Sequence, residues 1–318
     1  MTADLRSDPA TDPLAIERLD RLAGRLRSAR PWHAPAIDLH ARLLRETLAA
    51  ARAPRADALP RDSQRVAETL AAGVPLLHQE PVHVDVVYAG DLFGRLVNAL
   101  AGLESAPQGV DAVIAAATSG LIDPHTLFRE AFVQHFDHLA EMAIVAGADP
   151  DLLTVLARLA VSPLLRAYAD MLAPIVGAAI AGTDGSRWRR GFCLVCGAWP
   201  ALGELRGLEL QRHLRCGACG TSWPALRLEC VFCGTEDFRQ LRALQAEDER
   251  RLRVEVCDRC HRYLKVLNAF DPTPSYLVAL EDVASAHLDA AAVERGFSRP
   301  DGTGFRLEID SAAAEPSL

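Results

Sequence analysis

The chain has 318 residues, half of them hydrophobic and 24% charged, with a formal net charge of −8. That length allows two domains with a sizeable core. The start, Met1-Thr-Ala-Asp-Leu-Arg-Ser-Asp, lacks the apolar core of a signal peptide. The longest apolar stretch, Leu152 to Ala181, is broken by Arg158, Arg166, Asp170 and two prolines. Its clean end, Met171 to Gly182, is too short to span a bilayer. A soluble cytoplasmic protein without membrane insertion is therefore expected, one whose thiols stay reduced.

Residues 1 to about 181 read as helical. Ile16, Leu19, Leu22, Ala23 and Leu26 recur at helical spacing after Asp12-Pro13, a cap followed by proline. Further helices are expected near 36–53, 62–79, 90–102 and 109–119. Leu127, Phe128, Ala131, Phe132, Phe136, Leu139 and Ala143 mark one amphipathic helix, and Leu152, Leu153, Leu156 and Leu159 begin another. The one strand-like segment here is Val82-His-Val-Asp-Val-Val. His135, His138 and Glu141 share a helical face, but other carboxylate ligands of a di-metal set are missing, and an ordinary half-exposed face is the better reading. Gly182-Thr-Asp-Gly-Ser186 reads as a linker.

All eight cysteines follow within 68 residues, as four Cys-x-x-Cys pairs: Cys193/Cys196, Cys216/Cys219, Cys230/Cys233 and Cys257/Cys260. Such a turn lets two sulfurs reach one ion about 2.3 Å away, and a second turn completes a tetrahedron. A disulfide framework would need an oxidising compartment. Thioredoxin-type pairs begin helices in βαβ units, and four packed so closely would be unusual. Gly197, Gly220 and Gly234 directly follow three of the pairs, where a metal knuckle needs a left-handed residue. His261 holds that position in the fourth, suggesting a looser turn; a spare ligand or a donor to sulfur is the alternative to the better reading, a plain surface histidine or one beside the site.

Between Cys196 and Cys216, the segments from Ala201 and from Leu208 suit a hairpin. The same layout recurs from Phe238 through a charged turn at Glu247 to Leu252-Arg-Val-Glu-Val. The ten residues between Cys219 and Cys230 read as one connecting strand. Pairs one and two are thus expected to form one site and pairs three and four another, with an interleaved arrangement as the alternative. Tyr263-Leu-Lys-Val-Leu reads as a strand, and Asp282 is expected to cap a helix running to about Arg295 and ended by Gly296.

Soft thiolates suit iron and zinc alike. Zinc ribbons usually bind nucleic acid or protein, whereas tetrathiolate iron gives a rubredoxin. From Arg187 to Lys265 there are 15 basic and 10 acidic side chains, a formal +5 that two filled sites of −2 each largely cancel. Nucleic acid is therefore not the expected partner. No Ser-His-Asp order, phosphate loop or dinucleotide fingerprint is visible, so an enzyme is not expected.

Cys193-Leu-Val-Cys-Gly, Leu214-Arg-Cys-Gly-Ala-Cys-Gly-Thr-Ser-Trp, Arg227-Leu-Glu-Cys-Val-Phe-Cys-Gly and Val254-Glu-Val-Cys-Asp-Arg-Cys-His-Arg-Tyr-Leu-Lys-Val-Leu closely resemble the formate dehydrogenase accessory protein (FdhE) family. The resemblance runs through Ala279-Leu-Glu-Asp-Val-Ala-Ser-Ala-His-Leu-Asp and covers roughly residues 190–300. It implies a cytoplasmic accessory protein required for maturation and activity of respiratory formate dehydrogenase, contacting the catalytic subunit and holding iron in rubredoxin-like modules. Family members often have Cys-Pro-x-Cys at the first knuckle, where this chain has Leu194, which removes stiffness but no ligand.

The expected architecture is α+β. An all-α domain with its linker (1–186) precedes two tetra-Cys ribbons of rubredoxin or zinc-ribbon type (187–229 and 230–270). A C-terminal strand and helix (271–308) and a disordered tail (309–318) follow. Each chain should hold two ions, iron or zinc. The alternatives are a generic zinc-ribbon adaptor for another protein and a stand-alone electron carrier.

Overall fold

The structure, a computed structural model, describes residues 12–49, 56, 62–78, 82–103, 107–181, 188–245, 249–300 and 302–305. The expected linker at 182–186 and tail at 309–318 lie outside the described residues, as does the Glu247 turn.

The first half is helical: α1 (Ala15–Ala29), α2 (Ala34–Leu48), α3 (Ser63–Ala71), α4 (Val86–Ala101), α5 (Val110–Thr118), α6 (Pro124–Val133), α7 (Phe136–Val145) and α8 (Pro150–Ala181). Caps set several of the starts. Asp85 accepts a hydrogen bond from the Tyr88 amide (3.0 Å) and Asp123 one from Thr126 (2.9 Å), with Pro124 in the first turn. The Asp85 cap is why Val82–Val87 is not a strand: α4 begins at Val86. The single amphipathic helix expected over 127–143 is two, because Gln134 adopts a left-handed conformation (φ 64°) between α6 and α7.

The 32-residue α8 is the central element, packed on α3, α4, α6 and α7. Leu153, Leu156, Ala157, Ala160, Val161 and Leu164 along it are fully buried. It runs unbroken through Pro163 and Pro174. Pro163 has no N–H for the Leu159 carbonyl one turn back, and Ser162 Oγ donates to that oxygen instead (3.1 Å). By length and composition Pro150–Gly177 could cross a membrane, but 61% of its most apolar window is buried inside the protein.

The second half is one six-stranded sheet: β1 (Pro200–Arg206), β2 (Gln211–Cys216), β3 (Ser222–Pro224), β4 (Leu241–Leu244), β5 (Leu252–Cys257) and β6 (Arg262–Ala269), in the order β3-β2-β1-β6-β5-β4. Each ribbon is a three-stranded antiparallel meander. A parallel β1–β6 pair, with Gly203 opposite Val266, fuses the two. Gly203 permits that approach, since a Cβ there would lie 3.1 Å from Val266 Cγ2 and 3.2 Å from Leu264 Cδ2. Between Cys219 and Cys230, strand geometry is confined to Ser222–Pro224 rather than spanning the whole connection.

Beyond the sheet lie α9 (Val278–Ala284) and α10 (Ala286–Val293). Asp282 is inside α9 and caps nothing; its carboxylate is drawn to charge instead. The chain's sole lysine, Lys265 on β6, is fully buried. Its Nζ reaches Asp282 Oδ1 (2.8 Å), Asp289 Oδ2 (2.6 Å) and the Asp282 carbonyl (2.7 Å). Arg299 binds both carboxylates from the other side. Burial alone would raise the Asp282 pKa, but Arg299 and Lys265 hold it below the usual carboxylate value. The network pins α9 and α10 to the sheet.

One continuous core joins the helices to the first ribbon, running from Leu92, Phe128 and Leu164 to Leu194, Val195 and Trp223. The second ribbon has a smaller core, in which Val254, Val256 and Leu267 meet Leu288, Ala292 and Phe297. A third cluster seats α1 and α2 on Tyr276, Leu277 and Leu280. Lys265→Met should strand two carboxylates with one arginine and cost about 3 kcal/mol, read as a lower urea midpoint of unfolding.

Candidate metal centres

The cysteines gather into two groups, Cys193/Cys196/Cys216/Cys219 and Cys230/Cys233/Cys257/Cys260, each with its sulfurs within 4.8 Å of one another. The grouping is sequential, not interleaved. In the first group, Cys193 and Cys219 sulfurs are 3.5 Å apart, as are those of Cys196 and Cys216. In the second, the Cys230–Cys260 and Cys233–Cys257 separations are 3.7 and 3.8 Å. A regular tetrahedron of sulfurs about 2.3 Å from a zinc ion has edges of about 3.8 Å. All eight cysteines are free thiols. The donor sets therefore fit a divalent tetrathiolate ion.

The turns repeat. The amides of Gly197, Gly234 and His261 donate to the carbonyls of Cys193, Cys230 and Cys257, each at 2.9 Å. The amides of Cys193, Cys216 and Cys230 bond to Ala198, Thr221 and Thr235 carbonyls. Gly197, Gly220 and Gly234 have φ between 68° and 79°, and His261 matches them at 54°. The fourth knuckle is not looser: it keeps the same turn and bears the strain of a side chain in the left-handed region. His261 lies outside the second cysteine group, with its ring tilted against Phe297 at 6.1 Å.

The amides of Val195 and Cys219 donate to Cys193 and Cys216 sulfurs (3.4 Å each). The Thr221 hydroxyl lies 3.0 Å from the Cys219 sulfur. Such donors stabilise thiolates and tune any bound ion. Burial pushes the Cys193 thiol well up, whereas Cys216 is held well down by hydrogen bonds from Cys193, Cys196 and Cys219. In the second group burial pushes Cys260 up to about 11. An incoming ion must displace these protons, so uptake releases acid.

The two sites have different surroundings. Site one is entirely buried and clamped by the helical half. Leu76 and Leu77 amides donate to Leu194 and Val195 carbonyls (3.0 Å each). The Gln134 side-chain amide donates to the Cys196 carbonyl (3.1 Å), and His78 Nε2 contacts the same oxygen at 3.1 Å. The helix break at Gln134 thus delivers a buried amide to the first knuckle. Against the second knuckle lies the buried Arg166, whose Nε has no hydrogen-bond partner among the described residues.

Site two is wetter, with Cys233 and Cys260 half-buried. A cleft of about 660 Å³ opens on Cys230 and Cys233 and includes Arg189, Arg190 and Glu229. Its wall is a ladder of aromatic rings, Trp188–Phe192–Trp199–Phe232, with centroids 5.3, 6.1 and 5.3 Å apart. A second cavity of about 250 Å³ borders Cys230 and Cys257.

The His135/His138 face does not recruit Glu141, which is exposed. With the helix broken, both histidines turn instead to the buried Glu130, with Nδ1 atoms 2.9 and 3.2 Å from its Oε2. The residues missed by sequence reading are Gln134, His78 and the two arginines of α8. Arg158 and Arg166 carry a sequence signal, being cations inside an otherwise buried apolar run.

Helices on one side and paired four-cysteine ribbons in a shared sheet define a double-ribbon protein with a helical partner domain. Residues 228–304 match the FdhE C-terminal domain. The FdhE homolog of Rhizobium meliloti (strain 1021) is 34% identical over 126 residues, covering 37% of this chain and 41% of the relative. That of Aquifex aeolicus (strain VF5) is 27% identical over 176 residues, covering 52% and 59%. FdhE of Escherichia coli (strain K12) is 33% identical over 117 residues, covering 35% and 36%. The chain thus matches less than two thirds of the length of each of these relatives. The crystal structure of FdhE from Pseudomonas aeruginosa superposes over 92% of this chain and 94% of that one, with a TM-score of 0.57 at 20% identity, which shows the fold. The chain is therefore similar to FdhE proteins, by sequence in its C-terminal part and by fold over most of its length.

With the sites sequential, replacing Cys193 and Cys196 by serine should remove one bound ion per chain and leave the other. Replacing Cys216 and Cys219 should remove that same ion, so combining both changes costs nothing further. Metal analysis of the three variants checks this, and two ions lost from the combination would contradict it.

Proposed function

We propose that the eight cysteines ligate two ions, iron or zinc. On this reading the protein serves in the cytoplasm as an accessory factor in the maturation of a formate dehydrogenase, by binding its catalytic subunit, and is not itself an enzyme. The similarity to FdhE proteins supports the link to formate dehydrogenase. The observation that carries a binding role is the contrast between the sites. Site one is closed, whereas site two has half-buried sulfurs bordering a large aromatic-walled cleft. Exposed Leu226 lines that cleft and exposed Leu228 the smaller cavity beside Cys230, and they offer a partner apolar area.

With both tetrathiolate sites filled by protein ligands, no open coordination position remains for a substrate. Chemistry at the metal is then limited to holding the ribbon in shape or, with iron, passing an electron through the exposed knuckle to a docked enzyme.

Cells lacking the protein should contain normal amounts of an inactive formate dehydrogenase. In an anaerobic pull-down, the intact chain should retain the catalytic subunit, and the Cys230→Ser/Cys233→Ser variant should lose most of that capture. Unchanged formate dehydrogenase activity in the deletion strain would overturn this function.

A further inference from the structure

We infer that Arg158 and Arg166 of α8 are the counter-cations of metal site one, so that filling this site and seating the helical half on the ribbon are a single thermodynamic event. The inference rests on the proposed metal binding and adds to it residues that are not ligands.

The argument begins with charge. Four thiolates around a divalent ion carry −2, and site one lies wholly inside the core shared by helices and ribbon. Burying such a charge is costly unless opposite charge lies beside it. Site two can leave part of that task to water, since Cys233 and Cys260 are half-exposed. Site one has little water to use.

The α8 helix supplies two guanidinium groups, a little over two turns apart, and both lie at the second knuckle. Gly220, directly after Cys219, brings the backbone so near that a Cβ there would lie 3.8 Å from Arg166 Cγ. Arg158 lies in a recess of about 360 Å³ lined also by Gly217 and Ala218, the two residues between Cys216 and Cys219. The arginines therefore flank one knuckle.

The Arg166 Nε has no hydrogen-bond partner among the described residues. Arg158 is exposed at the mouth of its recess, with its guanidinium 4.5 Å over the Phe136 ring. Desolvation lowers the pKa of both arginines, and nearby acidic groups oppose it. For Arg158 these are Cys216, then Asp282; for Arg166 they are Asp170, then Cys219 and Cys216. Asp282 is already engaged by Lys265 and Arg299. Asp170 takes up part of the Arg166 charge, so the two cations offset much of the −2 centre rather than all of it.

The test uses full-length protein loaded with zinc and challenged with a chromophoric chelator, which gives a fast and a slow release phase assigned by the cysteine variants. Arg166→Met should speed release from site one roughly tenfold or more and leave site two unchanged. Arg166→Lys should restore most of the retention, because it keeps the charge. Arg158→Met should act in the same direction, and hydrogen exchange in α8 should rise with loss of the site-one ion. Equal acceleration of both phases, or release from site one unchanged in both methionine variants, would overturn the inference. If Arg166→Met fails to fold, Arg158→Met decides alone, since that side chain lines an open recess. A wild-type chain that binds no zinc would instead contradict the metal reading itself.

Discussion

The buried position of site one is the constraint on which the rest of the structure depends. Its four cysteines belong to the same apolar cluster as the central helix, so the ribbon and the helical half share a core at that point. The surrounding polar groups answer to this position. The Leu76–His78 turn and Gln134 satisfy the carbonyls of the first knuckle, and α8 brings positive charge to the second. Without such partners, backbone and thiolate groups there would lose water and gain nothing in return.

A second buried charge system holds the opposite side of the sheet. Glu204 on β1 is fully buried and accepts from Arg206, Arg215 and the Thr273 amide. Burial pushes its pKa up, but Arg215 and Arg206 hold it below the ordinary value. With the Lys265 network, this anchors both members of the β1–β6 pair. Site two lies farther out, beside a smaller core of its own, with sulfurs that meet solvent. One fold thus presents the same four ligands in a dry and a wet setting, with different consequences for exchange and access.

Much of this was legible in the sequence because it depended on local spacing. Two sulfurs three residues apart with a glycine behind them dictate a knuckle whatever surrounds them, and the hairpin spacing dictates which knuckles meet. Helical periodicity likewise located most of the helices. What could not be read depended on distant partners. Gln134 breaks a well-patterned helix because its amide has a partner 62 residues away. Val82–Val87 alternates like a strand, yet the Asp85 cap makes its end the start of a helix. Asp282 resembles a cap, but it sits inside α9 because Lys265 and Arg299 draw its carboxylate inward. The pairing of β1 with β6 joins segments some 60 residues apart, and no local pattern announces it.

The way the ribbons join has a consequence for assembly. In each ribbon a knuckle precedes the first strand and another precedes the third, so β1 corresponds to β4 and β3 to β6. The central pair therefore joins the first strand of one ribbon to the last strand of the other, a head-to-tail contact that does not close on itself. The outer edges, β3 and β4, are the same two surfaces left unmatched, and repeating the contact would add ribbon after ribbon into a filament. Both edges are blunted. β3 is three residues long and ends in Pro224, and β4 is four residues long, with Arg242 clasped to Asp258. Short edges bearing proline or charge resist templating by another chain, and so the sheet stops at six strands.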